Sequence, residues 1–242
     1  MVTLRSRHIP ALLLFAAALL VSIGAFGCSQ NEPTPVHGTP LPQITASEAV
    51  VQSKAAMAAL ESFRFELTHD SGFTTLSSSL RLSRASGIVA LDGLDLEAEA
   101  NIGRAFVRIE AVVIDDQTWM TNPLTGVWSE IAPEDSPFSF LDPVKLVADI
   151  LGETQQPVYP PEDESTGDIT VIGSIPAPTL AALVGTVDPD AVPNVELTLD
   201  RASYVLKRII ISGNVQPEDE PDTVRVITLS DFDKPVSIEP PI

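Results

Sequence analysis

The chain has 242 residues, and its 33 acidic side chains outnumber 14 basic ones to give a formal net charge of −19. This charge excludes electrostatic attraction to nucleic acid or to anionic lipid headgroups, so neither is expected as a partner. The single cysteine, Cys28, excludes an intrachain disulfide, so burial of apolar side chains has to stabilise the fold.

The N-terminus has the pattern of a bacterial lipoprotein signal. Arg5 and Arg7 form a positive region, residues 9–26 form an apolar region, and the small residue Gly27 precedes Cys28. We predict that Cys28 becomes the lipid-modified first residue of the mature protein, anchored on the extracytoplasmic face of the cell membrane. The alternative is an uncleaved anchor, since about 18 apolar residues can just span a bilayer.

Composition divides the chain into three parts. Residues 1–27 are the predicted signal, and residues 28–45 combine four prolines with polar residues, which is typical of an extended tether. Residues 46–242 are enough for one sizeable core and are predicted to form a single domain.

The domain begins with an amphipathic helix, predicted from a Thr45 or Ser47 cap to about Leu60. The apolar period then changes to two, which indicates half-buried strands. The first strand alternates Phe63, Phe65 and Leu67 with polar residues. Further strands, separated by glycines 87, 93 and 103 at hairpin spacing, are predicted near 76–82, 88–91, 94–100 and 105–114.

A central segment holds both tryptophans, Trp119 and Trp128, on two predicted strands joined by a turn. These side chains either line the mouth of a cavity or pack against the sheet. The tryptophans precede a helix capped by Asp142 and predicted to end at Gly152. That helix is apolar nearly all round, which predicts that it is enclosed.

The second half of the domain is also predicted to consist of strands, with one loop and one further apolar helix. Residues 155–167 are proline-rich and acidic and are predicted to be a loop, and residues 178–184 form a second apolar helix. Strands are predicted at 168–174, 195–199, 204–212, 223–229 and 236–238.

The sum is an α+β fold of about ten strands in one antiparallel sheet with three helices. A sheet this long curls because twist accumulates from strand to strand. We therefore predict a strongly curved half-barrel with helices over the concave side, enclosing a hydrophobic cavity. The residues predicted to line this cavity are Phe63, Phe65, Leu67, Leu146, Ile150, Leu180 and Leu183.

Several short motifs resemble the mycobacterial LppX/LprA/LprF/LprG lipoproteins. They are Trp128-Ser129-Glu130-Ile131, Pro137-Phe138, Leu141-Asp142-Pro143 and the C-terminal run from Thr228 to Val236. The resemblance implies a LolA/LolB-like half-barrel whose cavity takes the acyl chains of envelope lipids, with Cys28 as the lipidation site. The long acidic loops differ from the mycobacterial pattern, so the identity of the lipid does not transfer.

Catalytic and metal-binding patterns are weak. His69, Asp70 and Ser71 lie close in sequence, but a polar turn explains them better than a hydrolytic site, and no Gly-X-Ser-X-Gly elbow occurs. The acidic runs 188–190 and 218–222 are predicted to be exposed turns rather than calcium sites. We expect no enzyme activity and no cofactor.

Two functions remain. The first is a membrane-anchored lipoprotein that binds a lipid or another long apolar ligand and carries it across the envelope, with an envelope transporter as a possible partner. The second is a lipoprotein whose half-barrel is filled by its own side chains and whose outer surface binds another protein. The scarcity of aromatic residues, nine Phe, two Trp and two Tyr, favours the first.

Overall fold

The computed structural model describes residues 44–161 and 167–242. The predicted signal sequence, Cys28 and nearly all of the predicted tether lie outside the described residues. The helices are α1 Ala46–Ala58, α2 Pro143–Glu153 and α3 Ala181–Val184, with short 3₁₀ helices at Pro133–Asp135 and Ala177–Leu180. The strands are β1 Ser62–Ser71, β2 Thr74–Thr75, β3 Leu80–Ala90, β4 Gly93–Ile102, β5 Ala105–Ile114, β6 Gln117–Thr121, β7 Trp128–Ile131, β8 Gln155–Val158, β9 Asp168–Ser174, β10 Asn194–Asp200, β11 Leu206–Ser212 and β12 Val224–Ser230.

All twelve strands of the described chain belong to one sheet, and every pairing is antiparallel. The order is β7-β6-β5-β4-β3-β1-β12-β11-β10-β9-β8, with β2 beside β3. Two meanders are therefore joined where β1 pairs with β12. The sheet is open, with β7 and β8 at its two edges, and the predicted α+β half-barrel is confirmed.

This topology explains why α2 covers the open side. Strands β7 and β8 are consecutive in sequence but lie at opposite edges of the sheet. The segment between them, residues 132–154, therefore has to cross from one edge to the other. Because α2 lies in that segment, the connection itself places the helix over the concave face.

The strands bury alternate residues, as a sheet with one solvated face requires. In β10 the inward residues Val195, Leu197 and Leu199 are almost fully buried, whereas Glu196 and Thr198 between them are partly exposed. The inward rows and the buried faces of the three helices form a single apolar core.

Helix α1 begins as the sequence predicts. The Thr45 hydroxyl accepts a hydrogen bond from the backbone N–H of Glu48, and the Glu48 carboxylate accepts one in return from the Thr45 N–H. This reciprocal pair satisfies two of the N–H groups that the first turn leaves unpaired. No helix among the described residues is long and apolar enough to cross a membrane.

Helix α2 differs from the prediction in two ways. It runs one residue past Gly152, with Thr154 as its C-terminal cap. It is also less enclosed than its composition suggests, because Val144 is 56% exposed and the ion pair between Lys145 and Asp149 lies on the open side. The helix is thus amphipathic, with one face in the core and one in water.

Three strand predictions were wrong. Strand β3 is continuous through Gly87, where the sequence predicted a break. Strand β8 forms within the predicted loop, because an edge strand tolerates Pro157 and a bulge. The predicted final strand at Val236–Ile238 is absent from the described C-terminal residues, which instead cross the outer face, where Ile238 approaches Gly93.

Candidate functional site

A small apolar cavity lies between the concave face of the sheet and the covering helices. Every residue of its lining is apolar. The lining consists of Phe63, Phe65, Leu67, Leu76, Leu82, Ala85, Phe140, Leu141, Pro143, Leu146, Val147, Leu183, Ile227 and Leu229. The cavity volume is about 30 Å³, which is room for only about two water molecules. The helices are therefore in contact with the sheet, and the core is nearly filled.

The structure brings together five of the seven residues that the sequence predicted for a lipid cavity. Phe63, Phe65, Leu67, Leu146 and Leu183 line the cavity. The other two predicted residues, Ile150 and Leu180, have no exposed surface and belong to the same core, but they do not line the cavity.

Sequence reasoning missed several lining residues on β3 and β12. Leu82, Ala85 and Leu229 each lie between two polar residues, so the signal of a half-buried strand was present at these positions. The missing information was the pairing of β1 with β12. That pairing places Leu229 directly opposite Phe65, although 163 positions separate them in sequence.

Gly87 allows an aromatic side chain to lie flat on the concave face. Phe65 and Gly87 are direct cross-strand partners, and ring atoms of Phe65 lie 2.7 Å from the point where a Cβ of Gly87 would be. A larger residue at position 87 would displace the ring. A residue predicted to end a strand instead shapes the cavity wall.

A second close approach fixes the end of the cavity near α2. Gly185, at the C-terminal end of α3, has a φ of +73°, and the ring of Phe140 lies 2.9 Å from the position of its absent Cβ. Asp142 then caps α2 by accepting a hydrogen bond from the Lys145 N–H at 2.8 Å. The segment that enters α2 is thus packed against α3 at one point and rigidly capped at the next.

An open groove of about 460 Å³ adjoins the cavity. We call it the mouth groove. Its first wall is the concave face of β3 to β6 and the hairpin at residues 90–93, and its second wall is the segment 133–144. Leu141 and Pro143 line both the mouth groove and the cavity, so these two residues separate the spaces.

Trp119 is not part of this site. It pairs with Val112 on the face of the sheet opposite to Ala111, so it points away from the concave side. Trp119 is buried there, and Trp128 at the edge strand is half-buried. Of the two positions considered for the tryptophans, the mouth of a cavity or the surface of the sheet, Trp119 therefore occupies the second.

A buried polar cluster lies at the far end of β12. Arg225 has no exposed surface, and its guanidinium donates hydrogen bonds to both carboxylate oxygens of Asp219, at 2.7 and 2.8 Å, and to the Thr74 hydroxyl at 2.9 Å. The buried Gln216 amide donates to the carbonyls of Thr75 and Val184, at 2.8 and 3.2 Å. This cluster ties the β11–β12 loop to β2 and to the end of α3.

This cluster corrects the sequence interpretation of the acidic run 218–222 at one residue, Asp219, whereas Glu218, Glu220 and Asp222 are exposed as predicted. The side chain of Asp219 is 3% exposed, and its partner Arg225 lies six residues later, on β12. Burial alone would raise the pKa of Asp219, but the hydrogen bonds from Arg225 and from the N–H of Gln216 and Val215 outweigh it, so the pKa is lowered. The signal available in the sequence was an arginine at an inward strand position.

His69 belongs to the same cluster and does not form a catalytic group with Ser71. Its Nδ1 lies 3.0 Å from the Ser83 carbonyl, which can only accept, so Nδ1 carries the proton. Nε2 then accepts from the Thr74 hydroxyl at 3.0 Å. The Ser71 hydroxyl donates to the Asp222 carbonyl instead.

The electrostatics of His69 agree with a structural role. Burial lowers its pKa, and this effect, together with the nearby positive charge of Arg225, outweighs the opposing hydrogen bond to Ser83 and the charge of Asp219. The ring is therefore held neutral. Within residues 44–161 and 167–242, no group of three or more His, Cys, Asp or Glu side chains is arranged to hold a metal ion.

The comparisons with known proteins point to one family. The model of the LppX_LprAFG lipoprotein family matches residues 45–238. Among solved structures, LprF from Mycobacterium bovis is 19% identical with a TM-score of 0.59, and the match covers 84% of this chain and 99% of LprF. LppX from Mycobacterium tuberculosis is 16% identical with a TM-score of 0.55, covering 80% and 98% of the two chains. These likenesses show the fold, and no curated protein sequence matches the chain.

Proposed function

The chain belongs to the LppX_LprAFG lipoprotein family, and from this premise we propose that it binds the acyl chains of a lipid inside the half-barrel and carries the lipid across the cell envelope. The observation that carries this proposal is the cavity lining, which is apolar on all sides. Such a lining offers no hydrogen bond to a polar ligand, and it suits a hydrocarbon chain.

Burial supplies the affinity. Each methylene removed from water contributes about 0.8 kcal/mol, so a chain of roughly 16 carbons contributes over ~10 kcal/mol before the cost of association is subtracted. A ligand of this kind is held without a charged or catalytic group. This agrees with the position of His69 in a structural cluster, away from the cavity.

Lipid entry requires α2 and α3 to separate from the sheet. Pockets that hold ligands of drug size have volumes of about 300–1,000 Å³, whereas the cavity measures about 30 Å³. The contacts between the helices and the sheet around the cavity are apolar and non-directional, so contacts with a lipid chain can replace each of them.

The N-terminal part places the domain at the membrane. Residues 1–27 act as the signal, the lipid-modified Cys28 inserts into the membrane, and residues 28–45 hold the domain of residues 46–242 away from the bilayer on the extracytoplasmic side. At most about 3.3 Å per residue, a tether of this length reaches roughly 60 Å. Such a reach allows contact with a partner in the envelope, such as a transporter.

The small volume of the cavity favours a second candidate function. A half-barrel filled by its own side chains can serve as a scaffold that binds another envelope protein through its outer face. In that case the apolar lining is an ordinary core, and it takes up no ligand.

A titration with a fluorescent fatty acid separates the two candidates. The segment 44–242, which contains the whole described core, is titrated with the acyl probe in detergent-free buffer. Saturable uptake with a blue-shifted emission, displaced by unlabelled lipid, supports the carrier. Absence of uptake by a folded protein, verified by circular dichroism, supports the scaffold.

A further inference from the structure

We propose that two neighbouring hairpin tips on the outside of the domain dock on the surface of a lipid bilayer. The tips are residues 102–106, where β4 turns into β5, and residues 122–128, where β6 turns into β7. We call them the docking tips. This contact is separate from the predicted anchor at Cys28, and it does not depend on whether the cavity binds a lipid.

The sheet brings both docking tips to the same end. Strands β4 to β7 are consecutive neighbours in an antiparallel meander, so their two hairpins turn at the end opposite to the hairpin at residues 90–93. Because Ala111 pairs with Met120, the residues that follow β6 continue in the direction of Phe106 on the neighbouring strand. The two tips therefore present one combined surface.

Large apolar side chains are held in water on both tips. Leu124 is 80% exposed, Val127 64% and Phe106 61%. Trp128, next to Val127, is half-buried. The turn that carries Leu124 is ordered, because the side-chain oxygen of Asn122 accepts a hydrogen bond from the Leu124 N–H at 3.0 Å. Apolar side chains that are exposed together in an ordered structure mark a contact site.

The docking tips carry no negative charge, although the protein is acidic. Residues 100–109 and 117–129 contain no Asp or Glu, whereas the chain as a whole has 33 acidic residues. Arg104 lies on the first tip, and Arg81 of β3 lies in the same cross-strand row as Phe106. Among the described residues, neither arginine forms an ion pair with a carboxylate. Their charge is thus available to an anionic group of a partner.

This composition matches the interface of a phospholipid bilayer. Apolar side chains reach the acyl boundary, a tryptophan lies at the level of the headgroups, and guanidinium groups donate hydrogen bonds to lipid phosphates. Two separate convex turns also suit a fluid bilayer, which closes around each of them. A rigid protein partner would need a matching groove for each tip.

The charge of the rest of the protein selects the kind of bilayer. The acidic loop 216–222 lies at the same end of the sheet, beyond β1 and β3 in the strand order, and the chain has a net charge of −19. Both repel an anionic membrane. The occupant is therefore a bilayer of zwitterionic phospholipid, whose phosphates the two arginines contact. Long-range attraction is not needed, because the membrane anchor keeps the domain at a high local concentration.

Docking of the tips fixes how the domain faces the membrane. The chain enters the domain beside β8, where the Tyr159 hydroxyl donates a hydrogen bond to the Ile44 carbonyl at 2.9 Å. Strand β8 is the edge of the sheet opposite to β7. The mouth groove, at the hairpin of residues 90–93, lies at the other end of β4 from the tips. A docked domain therefore holds the mouth groove away from the bilayer that it touches.

Quenching of tryptophan fluorescence by brominated lipid tests the proposal. The full chain is reconstituted into phosphatidylcholine vesicles whose acyl chains are either brominated or not, and flotation measures the bound fraction. The background variant Trp119→Phe leaves Trp128 as the one emitting tryptophan, since the chain has two. Circular dichroism verifies the fold of each variant.

We expect the emission of Trp128 to be at least about twofold lower in the brominated vesicles. Phe106→Asp and Leu124→Asp are each expected to reduce the ratio of docked to undocked protein about tenfold or more, which removes most of the quenching. Arg104→Glu is expected to reduce the same ratio about two- to fivefold. The matched control is Val51→Asp, at an exposed position of α1, and it is expected to change nothing.

Hydrogen exchange provides a second measurement that leaves both tryptophans in place. In phosphatidylcholine vesicles, we expect the backbone of residues 122–128 to exchange at least about twofold more slowly in the wild-type chain than in Phe106→Asp. The two chains are identical in this segment, so the difference reports the contact with the bilayer. Equal exchange rates would overturn the proposal even if Trp119→Phe did not fold.

The remaining outcomes are equally decisive. Absence of quenching overturns the docking surface and leaves a protein as the occupant of the tips. Quenching that persists in both Phe106→Asp and Leu124→Asp also overturns it, because another face then contacts the bilayer. Unchanged quenching in Arg104→Glu overturns the role given to that arginine. None of these results bears on uptake of the acyl probe by the cavity, so failure here is distinguishable from failure of the proposed function.

Discussion

The variant Leu146→Asp tests whether the apolar side of α2 is a wall of the lipid site. Leu146 is 4% exposed and lines the cavity. An aspartate at this position has no polar partner among the lining residues, so its carboxyl is either buried unpaired or keeps α2 away from the sheet. In both cases the chain of a bound lipid loses one apolar wall.

The expected loss follows from the length of wall that is removed. If about four methylenes beside this turn of α2 remain in water, binding weakens by ~3 kcal/mol, or about two-hundredfold. The fold also loses stability, because truncation of a buried leucine alone costs about 2–5 kcal/mol. Leu146→Ala is therefore a second variant, which loses stability for the same reason but keeps the site apolar.

Lipid retention is measured by displacement of a fluorescent acyl probe, and folding by circular dichroism and urea unfolding. The matched control is Val51→Asp, which places the same charge on α1 at a position that is 68% exposed. We expect retention to fall in Leu146→Asp and to persist in Leu146→Ala and Val51→Asp. Equal retention in a folded Leu146→Asp protein would refute the assignment of α2 to the lipid site.

Three further predictions concern the fold. Replacing Arg225 by Met leaves Asp219 buried without its partner. This is expected to lower the free energy of unfolding by about 3–5 kcal/mol and Tm by roughly 6–20 °C. A loss of stability below ~1 kcal/mol in calorimetry would contradict the structural role of the buried cluster. The pKa values of His69 and Asp219 are both lowered in the folded state, so the unfolded chain binds protons more readily than the folded chain. The free energy of unfolding is therefore expected to fall as pH decreases, first below about 6.5 because of His69 and again below about 4 because of Asp219. Urea unfolding at stepped pH measures this, and His69→Gln should abolish the first decrease. Gly185→Ala is expected to destabilise more than Gly126→Ala, since both glycines have φ near +70° but only Gly185 has an aromatic ring against it; equal losses would show that this contact is unimportant.

The sequence predicted the fold well where the signal is local. The alternation around Phe63, the cap at Thr45 and the cap at Asp142 each depend on neighbouring residues, and the structure confirms all three. Most strands were found for the same reason. The prediction of a curled sheet needed only the number of strands and the constant hand of their twist.

The errors arise where distant parts of the chain meet. Gly87 was taken as a break because a glycine often ends a strand, but its role is to leave room for Phe65 on the neighbouring strand. Asp219 was taken as exposed because its neighbours are acidic. Arg225 is identifiable as its partner only when the Arg225 side chain is known to lie on the inward face of β12. Neither relation has a local pattern.

The cavity was predicted in part for the same reason. Residues at period two on β1 were correctly placed facing inward, and Leu146 and Leu183 on the helices face them. Ile150 and Leu180 were indistinguishable in sequence from true lining residues. The contribution of β12 depends on its pairing with β1, which joins the two ends of the domain.

The most direct test of lipid binding is native mass spectrometry of the protein purified from a bacterial envelope without added lipid, followed by organic extraction. The carrier account predicts a discrete additional mass on the folded protein, which extracts as a lipid with long acyl chains and is absent after Leu146→Asp. A protein that shows only the mass of its own chain, and takes up no acyl probe afterwards, would contradict the account and favour the filled scaffold.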